Sequence, residues 1–176
     1  MKIIFYIASI VAANIITAKL GGLAFFNGAI SMPAGSLLVG LTFMLRDLVQ
    51  LKHGRRGAYM AIGFALVLSA VMSAVLGDTV HIAAASALAF FVSEAVDTEV
   101  FTRLRRSLLQ RVAVSGIVGG VLDSSVFVLI GLSPLGGHLI EWSQVPPAIA
   151  GQIIAKTSIQ LAAVALMNKQ RRKVTA

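Results

Sequence analysis

The 176-residue chain has no cysteine. That excludes disulfides, thiolate metal sites and thiol nucleophiles, and removes any clue to redox compartment. Charge is scarce: 12% of residues are charged, against roughly 25% in an ordinary globular protein. Acids are scarcest, seven against fifteen Lys and Arg. Enzyme signatures are also absent, with no GxSxG elbow, no HExxH pair and no Walker loop. His53, His81 and His138 are scattered without metal-ligand spacing. Neither an enzyme nor a cofactor is expected.

What the chain does have is apolar sequence. Hydrophobic residues make up 57% and the mean hydropathy is +0.89, as in an integral membrane protein. A membrane helix needs about 20 apolar residues, so the length leaves little for an aqueous domain. The runs predict an all-α bundle forming a single domain, with six spans at about 3–20, 33–51, 58–76, 80–101, 112–132 and 148–167. Lys2 before an apolar run resembles a signal peptide, but the run continues past Asn14 without a cleavage site and reads as a retained first helix. Pro33 suits a first helical turn, where no N–H is needed. Phe25 and Phe26 are expected in the membrane interface or dipping back inward, and Lys52 to Gly57 as a short basic loop.

A net charge of +8 raises the possibility of nucleic acid, but the positions of the cations argue against it. Twelve of the fifteen fall at Lys2, in the loops after spans two and four, and in the tail from Lys169, all on one side of a six-span chain. The alternate loops hold only Lys19. By the positive-inside rule both termini are predicted to be cytoplasmic. Tyr6, Tyr59 and Trp142 fall near predicted span ends, as an aromatic belt requires.

Several polar residues fall inside these runs, where they are functional candidates by default. Glu94 and Asp97, three apart, share a helical face and are predicted site residues, whereas Glu99 points elsewhere and is expected to pair with Arg103. Asp123 and Lys156 lie mid-span. Lys156 must approach an acid, with Asp123, Asp47 and Asp97 as candidates. Such a pair either fastens spans statically or opens for ligand. Asn14 and Gln152 are interhelical glue or cavity amides. Gly116 and Gly120 form a face for close helix packing, and Phe43, Phe90, Phe91, Phe101 and Phe127 are core or lipid-facing, with one or two placed to stack on a flat ligand. Arg46-Asp47 before one basic loop echoes Asp97 and Glu99 before another, hinting at repeated halves.

Three stretches together resemble the queuosine precursor transporter family, also called VUT: Ser31 to Gly57, Ala85 to Ile130, and AGQIIAKTSIQ in the last span. Asp97, Phe101, Arg103 and Arg105 match a DxxxFxRxR pattern, and Asp123, Lys156 and Asn14 match an acid, a lysine and an asparagine of the family. Arg46 stands where the family usually has Thr, which leaves open whether Asp47 contacts ligand or pairs with a cation. The resemblance implies import of 7-cyano-7-deazaguanine or a related deazapurine across the bacterial inner membrane. Asn14, Asp47, Glu94, Asp97, Asp123, Gln152 and Lys156 would bind the substrate. With no ATP site, transport would be facilitated or ion-coupled, most simply through a proton on a buried acid. The implied partners are the small-molecule substrate and the lipid bilayer, with a homodimer left open and no nucleic acid. The alternatives are a substrate-binding membrane subunit of an energy-coupling-factor vitamin importer, and a non-transporting scaffold whose charges are structural ion pairs.

Overall fold

Gly54 shapes the longest helix of the protein. In a computed structural model, which describes residues 2–25 and 30–175, α1 (Lys2–Leu20) leads through a hairpin of β1 (Gly22–Phe25) and β2 (Ile30–Pro33) into α2 (Ser36–Leu76), followed by α3 (Val80–Arg103), α4 (Leu108–Val126) and α5 (Val145–Thr175). An unbroken α2 of 41 residues would be about 60 Å long. Yet the Gly35 N–H donates to Thr17 Oγ1 (3.0 Å), and the Asn14 amide donates to Ser69 Oγ (3.1 Å). Residues that an unbroken helix would hold about 50 Å apart thus meet one turn of α1. Gly54, at φ 70° and ψ −178°, lets α2 double back as two limbs, a conformation open to glycine alone. The expected loop at Lys52 to Gly57 is therefore a one-residue break in helix.

Five helices among the described residues are long and apolar enough to cross a membrane, α2 being the one that is bent. This is an all-α polytopic membrane protein. The α2–α3 turn is short because Gly77 closes α2 at φ 85° and Thr79 Oγ1 accepts the Ile82 N–H at 3.3 Å. Between α3 and α4 only Leu104 to Ser107 are non-helical, and Ser107 with Gln110 makes a capping box. Arg111 consequently sits in the first turn of α4, with its guanidinium 4.1 Å from the Phe101 ring centroid and Nε donating to the Phe101 carbonyl at 2.9 Å. From Phe127 to Leu132 the helix widens into a π-turn, a feature frequent at functional sites.

Two sequence expectations are corrected. Pro33 does not open a helix: it ends β2 opposite Gly22, where a strand end tolerates its missing N–H. Tyr6 is not in an aromatic belt but fully buried, packed with Ile10, Val49, Ala61 and Ala65 between α1 and both limbs of α2. The expectation for the Phe25 and Phe26 side chains lies outside the described residues.

Close approach of helices sets the interior. A Cβ at Gly40 would collide with the backbone carbonyl of Lys156, so the first limb of α2 and α5 touch main chain to main chain there. On α4, Gly116 accommodates the Gln160 amide and Gly119 lies against Phe43 and Asp97. The small-residue face expected on this helix is thus a packing face.

Candidate functional site

The interior polar residues form two layers along the bundle. The first lies some seven or eight residues, about 10–12 Å, inward from the bend at Gly54 and the Leu104 turn. Its hub is Arg46, fully buried on α2. Arg46 Nε meets Glu94 Oε2 at 3.0 Å, Nη1 meets Asp47 Oδ1 at 3.0 Å, and Nη2 pairs with Asp97 Oδ2. Nη1 also donates to Gln50 Oε1 (2.8 Å) and Thr98 Oγ1 (3.1 Å), and Ser115 Oγ donates to Asp47 Oδ2 at 3.2 Å. A planar guanidinium suits this many acceptors at once, which an ammonium could not orient. Glu94 and Asp97 share a helical face, as their spacing predicts, and converge on one cation.

The second layer lies deeper. Lys156 Nζ on α5 donates to Asp123 Oδ2 at 2.6 Å, Ser124 Oγ at 3.0 Å and Gln152 Oε1 at 3.0 Å. Of the three acids that could meet Lys156, Asp123 is the one that does. This pair borders a cavity of about 140 Å³, walled also by Asn14, Gln152, Ser36, Ser86, Phe90 and Phe127. Its size is close to the roughly 150 Å³ that holds a benzene ring in an engineered protein, so it has room for a flat ring. The Gln152 Nε2 is buried without a hydrogen-bond partner among the described residues, leaving a free donor beside the cavity. A wider space of about 440 Å³ between the hairpin base, Leu139 and Ala148 shares Thr17, Pro33, Ile82 and Phe127 with the cavity wall. It lies at the bundle end away from the basic turns.

Asn14, Asp123, Gln152 and Lys156 therefore come together around one cavity, while Asp47, Glu94 and Asp97 surround Arg46 and do not line it. Asp47 pairs with a cation. Glu99 bonds Arg103 as expected, at 3.1 Å, and also meets Arg55 at 2.5 Å and the Tyr59 hydroxyl at 2.8 Å. The Arg46 hub is not evident in the sequence, although a cation four residues before Gln50 in an apolar run was its available signal. Phe90 and Phe127 line the cavity, whereas Phe43 and Phe101 are buried in the core and Phe91 is half exposed. The helices that echo one another in sequence face each other across Arg46.

Residues 59–168, more than half of the chain, match the family model described as "Putative vitamin uptake transporter". The chain belongs to this family. No curated protein and no solved structure matches it. The family region spans the second limb of α2, α3, α4 and most of α5, so it includes Glu94, Asp97, Asp123, Gln152 and Lys156 and begins after Arg46 and Asp47. A vitamin uptake transporter needs a polar site within its spans, and these two layers supply the candidates.

Proposed function

We propose that this protein imports a queuosine precursor, 7-cyano-7-deazaguanine or a related deazapurine, across the bacterial inner membrane, coupled to an ion. The two limbs of α2 cross separately in this reading, giving six spans with both termini cytoplasmic and the basic turns on the cytoplasmic side. The observation that carries it is the Asp123–Lys156–Gln152 group beside a cavity flanked by Phe90 and Phe127. A guanine-like edge has two adjacent N–H donors for a carboxylate, and its carbonyl oxygen accepts from an amide or ammonium. Asp123 and Lys156 exchange their mutual bond for those of the ligand, the unpaired Gln152 Nε2 donates to its carbonyl, and the phenyl rings hold its faces. Asp47, Glu94 and Asp97 act from behind the cavity, not on the ligand in the conformation described.

The family's description favours a second reading, a vitamin as substrate, either alone or as the membrane subunit of an energy-coupling-factor importer. Copurification with an ATPase module would select that reading. Melting of the detergent-purified protein with deazaguanines, guanine and vitamins separates the two. A ligand at 100 times its Kd stabilises the folded state by about 2.7 kcal/mol. Selective stabilisation by a deazapurine, lost in Asp123→Asn, is the expected result; stabilisation by a vitamin alone transfers the assignment.

A further inference from the structure

We infer that the Arg46 cluster is a proton-binding site, separate from the substrate cavity, that holds at least one proton at neutral pH. One guanidinium faces three carboxylates, Asp47, Glu94 and Asp97, an excess of two negative charges among side chains that are all fully buried. Among the described residues, none that bonds to the cluster supplies a second cation. The first limb of α2 contributes Arg46, Asp47 and Gln50, α3 contributes Glu94, Asp97 and Thr98, and α4 contributes Ser115. From α1 comes Tyr6, which packs in turn on Ala61 and Ala65 of the second limb of α2. Asp123, one layer away, acts on Glu94 from a distance and is itself paired with Lys156.

Hydrogen-bond valences independently ask for a hydrogen. Glu94 Oε1 and Asp97 Oδ1 are buried and have neither a hydrogen-bond donor nor an ion-pair partner among the described residues. The Tyr6 hydroxyl, on a side chain with no exposed surface, lies beside Glu94 and is the one neighbouring donor turned toward it among the described residues, so Asp97 Oδ1 is the oxygen left bare. A proton on Glu94 or Asp97 removes one excess charge and turns a carboxylate oxygen into a donor. A metal ion is a poor alternative, because the guanidinium occupies the centre and no three His, Cys, Asp or Glu side chains among the described residues are grouped to hold one.

This inference deepens the transport reading and rests on it for its consequence. The cluster ties α2 to α3 on the side of the basic turns, while the cavity lies beyond it. Loss of the proton restores the full excess of two negative charges between these helices, which water entering from the basic side can solvate, so deprotonation is linked to opening on that side.

Infrared spectroscopy in an ester-free detergent tests the site without any ligand, by the C=O stretch of a protonated carboxylic acid. The wild-type protein at neutral pH is expected to show this band, Glu94→Gln or Asp97→Asn to lose or diminish it, and Asp123→Asn to retain it. A folded wild-type protein without the band overturns the inference, whether or not the variants fold. So does a band abolished by Asp123→Asn and untouched by Asp47→Asn, Glu94→Gln and Asp97→Asn. Because no ligand is present, failure of every purine to stabilise the protein overturns the transport reading separately and leaves the infrared result to be judged by itself.

Discussion

The two polar layers contain the same kinds of groups and solve the burial problem differently. Near the cavity, one acid and one lysine balance, and Asp123 retains slight exposure. Around Arg46, three acids crowd one guanidinium with no exposed surface. A buried ion pair is weak evidence for stability, since desolvation offsets much of the attraction, but removing one partner leaves a bare charge at great cost. What separates the layers is thus access: the Asp123–Lys156 pair can exchange partners with whatever enters the cavity, and the Arg46 cluster can exchange only by opening or by moving a proton.

The largest effect should follow from breaking the sealed layer. Arg46→Met leaves three carboxylates without their cation and is expected to cost about 3–5 kcal/mol, read as a lower melting temperature or loss of monodisperse protein. Arg46→Lys should recover only part of this, because an ammonium cannot serve all the acceptors that the guanidinium now orients. Gly40→Ala attacks the other layer through its scaffold. The new methyl meets the main chain of Lys156, which cannot swing aside as a side-chain tip would, and the expected cost is about 3 kcal/mol, the upper end for overpacking. Displacing Lys156 should also abolish ligand stabilisation while leaving the carboxylic-acid infrared band in place. Loss of both signals together would mean that the layers are mechanically one.

Much of the second layer was legible because burial leaves few solutions. A lysine in the middle of an apolar run must find an acid, and Asp123 was among three candidates; Gln152, one turn before Lys156, follows by helical spacing. The hub of the first layer was obscured by its neighbour. Arg46 beside Asp47 left open whether the acid meets ligand or a cation, since adjacent residues point in different directions on a helix and only the folded contacts show that the guanidinium turns inward to α3. Tyr6 was misread for the same reason: closeness to a span end says nothing about which side of the helix faces lipid. The connection at Lys52 to Gly57 was expected as a loop and is a break at Gly54 alone, because basic and glycine-rich sequence suggests a loop even where one positive-φ glycine suffices. The β1–β2 hairpin gave no alternating pattern to detect, being four residues a side with the sequences GLAF and ISMP.

Smaller effects sharpen the contrast. Lys156→Met leaves Asp123 charged beside a cavity that water can enter, so its expected cost, about 2 kcal/mol, is below that of Arg46→Met. Adding Asp123→Asn to it should recover part of the loss, the signature of two residues that share one interaction. Glu99→Gln should do least. Glu99 lies on the same helix as Glu94, only five residues on, yet it faces the surface and is shared by Arg55, Arg103 and Tyr59. Exposed pairs of this kind contribute little once salt and side-chain entropy are counted. The melting temperature, the ligand shift and the infrared band should all remain as in wild type. A clear change in any of them would mean that the acid at the basic surface communicates with Arg46 along α3, and that the seal between the first layer and water is thinner than its burial implies.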